Sequence, residues 1–204
     1  MSKILISGYY GFANAGDEAM LTAIIESLRQ VEKNVELTVL SGNPEDTAAK
    51  HQVCSVYRFN PLGIIRTMKD SELIISGGGS LLQDVTSKRS LLYYLSIIGL
   101  GKFFGKKVML FAQGIGPIRA KWARKLTSLV CNEADLITVR DSESAAELIE
   151  MGVKPEKITV TADSVLSLNP VTKECGQYLL QEAGVDLTKP VIGISVRPWS
   201  GDSQ

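Results

Sequence analysis

The sequence predicts an α/β protein, a Rossmann-like doubly wound parallel sheet, and three observations carry that prediction. Short apolar runs rich in β-branched residues alternate with helical patterns along nearly the whole chain. Those runs are apolar throughout rather than alternating, as expected of parallel strands covered on both faces. Three of them lead directly into glycine-marked turns, which an open parallel sheet gathers along the carboxyl edge of its strands, where ligands bind.

Taken in order, Ile4–Ser7 reads as the first strand and Asp17–Glu32 as the first helix, with Met20, Ala23, Ile24, Ser27, Leu28 and Val31 on one face. Val35–Leu40 is strand two, and Pro44–Lys50 a short helix opening on proline and acids. Val53–Val56 is strand three, Leu62–Lys69 a helix, Leu73–Ser76 strand four, Lys88–Phe104 a long apolar helix and Val108–Ala112 strand five. Lys121–Glu133 is helical and Leu136–Val139 is strand six. Asp141–Met151 is a helix capped by Asp141 or Ser142 and stopped by Gly152, and Ile158–Val160 is strand seven. After Asn169-Pro170 the pattern changes: Val171–Ala183 reads as helix, residues 184–190 as a connection, and Val191–Val196 as a new buried strand. The expected organisation is a Rossmann-like domain over residues 1–170, then a linker helix and first strand of an incomplete second domain over 171–204. A last strand with no covering helix leads us to expect a piece of a larger protein.

Bulk properties narrow the function. With 22 basic and 22 acidic residues the formal net charge is zero, which argues against a nucleic-acid partner, since phosphate neutralisation calls for a basic excess. The three cysteines, Cys54, Cys131 and Cys175, are scattered, and the single histidine, His51, has no ligand set beside it. Neither a metal site nor a disulfide framework is expected, and free cysteines fit a reducing cytoplasm. Met1–Gly8 reads as a strand running into a turn, not as a secretory signal. The uncharged stretch Ser90–Gly101 is 12 residues long. That is short of the roughly 20 needed to span a bilayer, so it reads as a core helix, with a membrane-facing helix as the alternative.

Chemistry concentrates at the turns. In the first, Asn14, Asp17 and Glu18 stand at the entry to the first helix. Carboxylates there either complement the helix dipole, for about 0.3–1 kcal/mol each, or accept a proton from a substrate hydroxyl. The second turn, Gly77-Gly78-Gly79-Ser80, offers consecutive N–H groups and a hydroxyl, either as an anion nest or as a tight strand-to-helix connection. It lacks the spacing of a P-loop or a dinucleotide fingerprint. The third, Gln113-Gly114-Ile115-Gly116-Pro117, is a plain turn unless Gln113 hydrogen-bonds a polyol. Arg140 and Arg197 each follow a strand by one residue, where a guanidinium can clamp a carboxylate or phosphate. For Arg140 the competing reading is an ion pair with Asp141 or Asp163.

Six segments in this order resemble the polysaccharide pyruvyl transferase family, and its CsaB-type members in particular. They are Gly11-x-x-Asn14-x-Gly16-Asp17-Glu18, Gly77 to Asp84, Gln113 to Pro117, Val139-Arg140-Asp141-x-x-Ser144, Asp163-Ser164-Val165 and Ser195 to Trp199. The resemblance covers essentially the whole chain. It implies a GT-B-like architecture, with the active site between two Rossmann-like halves. The implied reaction moves the pyruvyl unit of phosphoenolpyruvate onto two hydroxyls of one sugar, usually N-acetylmannosamine, as a ketal that surface-layer homology domains recognise. On this resemblance Asp17 and Arg140 are the catalytic candidates, with Asp17 facing the acceptor and Arg140 and Arg197 holding the donor. Asn14, Gly16, Glu18, Gly77, Gly78, Gly79, Ser80, Gln83, Asp84, Gln113 and Gly114 join Arg197 as substrate-binding candidates. No cofactor or metal is implied beyond the donor substrate. A lipid-linked or polymeric sugar acceptor implies a cytoplasmic protein with peripheral association at the inner face of the membrane. The family's second half, with a histidine and further basic residues, has no counterpart in these 204 residues, so this stretch alone is expected to be inactive. The competing readings are a GT-B glycosyltransferase using a nucleotide sugar, and a non-catalytic sugar- or nucleotide-binding domain.

Overall fold

A computed structural model describes residues 1–194. Two compact units partition the chain, Met1–Leu168 and the remainder from Asn169. The first is built in the order β1 (Lys3–Tyr10), α1 (Ala15–Val31), β2 (Glu36–Ser41), α2 (Pro44–His51), β3 (Cys54–Tyr57), α3 (Pro61–Asp70), β4 (Leu73–Gly77), α4 (Lys88–Phe103), β5 (Lys107–Gln113), α5 (Lys121–Glu133), β6 (Leu136–Val139), α6 (Ser142–Glu150) and β7 (Ile158–Val160). Short 3-10 turns lie at Pro155–Lys157 and Ser164–Ser167. The second unit contains α7 (Lys173–Glu182). Residues 191–194 have no regular secondary structure, and the rest of the strand expected over Val191–Val196 lies outside the described residues.

All seven strands are parallel, in the order β3-β2-β1-β4-β5-β6-β7. The chain winds outward from β1 in one direction, then crosses back to β4 and winds outward in the other. The carboxyl ends of β1 and β4 therefore form the topological switch point, where open α/β sheets bind ligands. Successive residues of each strand feed opposite layers. Leu5, Ile74, Val108 and Ile137 join residues of α3, α4, α5 and α6, while Ile4, Ile6, Val39 and Ile75 join Leu21, Ile24 and Ile25 of α1. Sequence marks the helix starts: Asn14, Asn43, Asn60, Ser87 and Asp141 each cap a helix through a side-chain oxygen, and Pro44 and Pro61 open α2 and α3.

Two strands run further than their apolar runs suggest. β1 continues through Gly8, Tyr9 and Tyr10 after a register shift past Ser7, and β5 reaches Gln113 after a shift past Leu110. In β1 the cause is Tyr10, fully buried, whose hydroxyl donates to Gly77 O at 2.5 Å. Its ring fills the place of a side chain at position 8, where a Cβ would stand 2.3 Å from it. In β5, Ala112 takes φ 47° and its N–H turns to Thr138 Oγ1 at 2.7 Å. Such irregularities re-aim side chains beside binding sites, and these two flank β4 on either side.

Candidate functional site

The turn after β4 is the centre of the carboxyl edge. Gly78 and Gly79 both adopt positive φ, 86° and 58°, which a side chain would strain. A Cβ on Gly79 would stand 3.1 Å from Asp17 Oδ1, so the half-buried Asp17 lies directly against this turn. The next residue, Ser80, is exposed, and its Oγ is 3.4 Å from Arg140 Nη2. Consecutive residues of one turn thus border the carboxylate on one side and the guanidinium on the other. The charge of Asp17 also reaches Tyr10 and Tyr94. Burial chiefly raises the pKa of both phenols, and the neighbouring carboxylate adds to it.

Arg140, one residue past β6, is held by three contacts: Nε to Asp141 Oδ2 at 3.3 Å, Nη1 to Asp163 Oδ2 at 3.4 Å, and the Ser80 contact. All are longer than the 2.7–2.9 Å of a tight charge-assisted bond. The side chain is about one-third exposed, at 34%. Both carboxylates named as its competing partners are therefore present, at lengths that leave the guanidinium able to take another anion. Asp141 is mainly occupied elsewhere: it caps α6 through Ser144 N–H at 2.7 Å, and Ser144, ahead of Arg140, lowers its pKa. Gly114 makes this arrangement possible, since a Cβ there would stand 2.7 Å from both Arg140 Cζ and Ser80 Oγ.

The remaining candidates divide into edge and brace. Gly16 lies in the first turn of α1, and Asn14 caps that helix, its Oδ1 accepting from Gly16 N at 3.0 Å and Asp17 N at 3.4 Å. Glu18 is committed to the scaffold, with Oε1 accepting from Gly11 N at 2.8 Å and Oε2 on His51 Nε2 at 3.0 Å. This gives the single histidine a structural partner. Gln83 closes a local turn with Thr86, and Asp84 accepts from Arg119 N and Ala120 N at 2.9–3.0 Å. Burial pushes the Asp84 carboxyl up, but those N–H groups and Lys88 outweigh it and lower its pKa. Gln113 is fully buried, its Nε2 donating to Ser76 Oγ at 2.8 Å, which places it beneath the floor of the crevice. Gly77 is buried as the last residue of β4. Arg197 lies outside the described residues.

Sequence reading passed over Arg58. It follows β3 by one residue, is 5% exposed, and has no carboxylate within 4 Å among the described residues. Its guanidinium instead faces the rings of Tyr9, Phe12, Phe59, Tyr93 and Tyr94 at 4.4–5.9 Å, and Nη2 donates to Tyr94 Oη at 3.4 Å. Cation–π attraction of this kind offsets part of the cost of removing the charge from water. The signal was available, since Arg58 stands to its strand as Arg140 does, between Tyr57 and Phe59.

Fold and edge together define a class first: a doubly wound, Rossmann-like α/β domain. Solved structures with this fold include HepE of Anabaena in complex with UDP and glucose, with a TM-score of 0.58, 13% identity, and coverage of 90% of this chain and 50% of that one. The UDP-GlcNAc 2-epimerase of Neisseria meningitidis bound to UDP-GlcNAc matches with a TM-score of 0.55 and 13% identity over 90% and 54% of the two chains. A glycosyltransferase of Rickettsia africae matches with 0.55 and 13% over 93% and 51%. The chain spans about half the length of these structures, and at such identities they establish the fold alone. No curated protein matches it. The family model for polysaccharide pyruvyl transferases matches residues 14–195, and the chain belongs to that family.

Proposed function

We propose that this chain supplies the Asp17 and Arg140 side of a CsaB-type ketal pyruvyl transferase. The reading takes phosphoenolpyruvate as donor and a cell-wall sugar, N-acetylmannosamine, as acceptor. The observation that favours it is the shared turn, with Asp17 against Gly79 and Arg140 against Ser80. A base for a hydroxyl and a cation for an anionic donor then stand against neighbouring residues of one turn, Gly79 and Ser80, at the switch point.

In the proposed sequence a proton adds to the methylene carbon of the donor, from an acid outside this chain. One acceptor hydroxyl attacks the adjacent carbon as Asp17 takes its proton. The C–O bond to phosphate breaks, and the second hydroxyl closes the ketal on the same carbon. Of the two hydroxyl protons, one balances the new methyl group and the other leaves with phosphate. Arg140 offsets the charge gathering on the departing group, the kind of preorganised electrostatic contribution that commonly dominates catalysis.

The second reading, a nucleotide-sugar glycosyltransferase, is favoured by the UDP complexes among the similar folds. The two separate cleanly on the full-length protein. Phosphate release from phosphoenolpyruvate that depends on an N-acetylmannosamine-containing acceptor supports pyruvyl transfer. Thermal stabilisation by UDP-sugars, with no such release, supports the glycosyltransferase. Stoichiometric sugar binding without turnover of either donor supports a binding domain.

A further inference from the structure

The layer formed by α4 and α5 is charged unlike the rest of the chain. From Val85 to Cys131 there are nine Lys and Arg residues and no Asp or Glu, in a chain that carries 22 of each sign. Lys102 and Lys107 pair with Asp135, and Arg124 with Glu147 and Glu150. The other six, Lys88, Arg89, Lys106, Arg119, Lys121 and Lys125, have no carboxylate within 4 Å among the described residues, and of these Lys88 and Arg119 stand near enough to Asp84 to lower its pKa.

The same layer bares apolar surface. α4 buries Leu91, Tyr94, Leu95 and Ile98 on its inner side. Yet its outward positions Leu92, Leu100 and Phe103 are also apolar, at 42%, 37% and 80% exposure. A helix apolar on every side normally lies inside packed protein. Trp122 and Leu129 of α5 are exposed at 46% and 58%. Beside α4, a groove of about 300 Å³ runs along α3, lined by Phe59, Ile64, Ile97 and Leu100.

We propose that the α4–α5 layer docks on an anionic lipid surface, lying in the headgroup plane with its cations on lipid phosphates and Leu92, Leu100 and Phe103 in the acyl boundary. An apolar stripe bordered by Lys and Arg, with no acid between, is the composition of an interfacial helix. The occupant is not a second copy, because pairing this face with itself would set like charges against each other. Nor is it nucleic acid, which does not call for the exposed Leu and Phe row. No helix among the described residues is long and apolar enough to cross the membrane, so the contact lies along it. The proposal assigns a face and a lipid charge to the membrane association that the family resemblance implies, and its vesicle readout is separate from pyruvyl transfer.

The test is flotation of the full-length protein with phosphatidylcholine vesicles, with and without phosphatidylglycerol. Binding is expected only with the anionic lipid and is expected to fall with added salt. Reversing the exposed charges together, as Lys88→Glu, Arg89→Glu, Lys121→Glu and Lys125→Glu, should lower partitioning more than a hundredfold, at about fivefold per cation removed. Leu92→Ser with Phe103→Ser should lower it about tenfold, with an unchanged melting temperature showing that the fold is intact. Three results overturn the proposal: no binding to anionic vesicles, binding that both variants retain in full, or a dimer in gel filtration that Leu92→Ser with Phe103→Ser disperses.

Discussion

Arg58 and Arg140 stand in equivalent places, one residue beyond β3 and one beyond β6, yet their surroundings set them to opposite work. Arg58 is sealed among five rings with no carboxylate within 4 Å among the described residues, and it binds the β1 turn to α4. Arg140 is one-third exposed, with contacts of 3.3–3.4 Å to two carboxylates and a hydroxyl. The difference teaches that a cation at a strand end is a scaffold where aromatic rings close over it. Where its partners are long and water reaches it, such a cation stays open to a ligand, which is the condition that the proposed role of Arg140 requires. Among the carboxylates, both oxygens of Asp84 brace the segment at Arg119 and Ala120 and both oxygens of Glu18 brace Gly11 and His51, while Asp17 lies against the turn at Gly79.

Substitution of the two arginines should break the pair apart. Arg140→Met in the full-length protein is expected to lower turnover by about two to three orders of magnitude. Its melting curve should hardly move, because ion pairs this exposed contribute little. Arg58→Ala should do the reverse, costing about 3 kcal/mol of stability through the emptied cage while donor affinity per folded molecule is kept. Equal effects of the two on stability would erase the distinction. A smaller change sharpens it: Gly114→Ala places a methyl group 2.7 Å from the Arg140 guanidinium carbon. It should raise the donor KM about tenfold by displacing that side chain, with a stability change under about 1 kcal/mol.

The smallest effect belongs to a carboxylate remote from the edge. Burial pushes the Asp135 pKa up, but Lys102, the Val108 N–H and Lys107 outweigh it and hold the group at about 2. A depressed carboxyl stabilises the fold above its unfolded value of 3.8 and loses that contribution as pH falls toward 2. With solvent screening discounted, Asp135→Asn should cost on the order of 1 kcal/mol at neutral pH. The gap to the parent should narrow in acid denaturation as pH falls from about 4 and close near pH 2, and a gap undiminished at pH 2 would remove the ion-pair explanation.

Much of this was legible from residue types. The parallel sheet and its carboxyl-edge turns follow from uninterrupted apolar strands ending in glycine, the α6 cap was narrowed to Asp141 or Ser142, and the ion-pair partner of Arg140 to Asp141 or Asp163. What escaped was set by contacts distant in sequence. β1 outruns its apolar stretch because Tyr10 reaches Gly77 across the sheet, 67 positions away. Gln113 points under the crevice because a bulge in β5 redirects it toward Ser76. Asn14 entered as a substrate-binding candidate only, and its cap of α1 emerges from the geometry of the Gly16 and Asp17 N–H groups. The position of Arg58 after its strand was legible, but its aromatic cage was not, because four of the five rings come from other elements of the chain.

The most direct test is turnover of the Asp17→Asn variant of the full-length protein, followed as phosphate released from phosphoenolpyruvate in the presence of acceptor. The amide keeps the shape and removes the base, so a fall of about a hundredfold or more in kcat with an unchanged melting temperature is expected. Turnover equal to that of the parent would contradict the account.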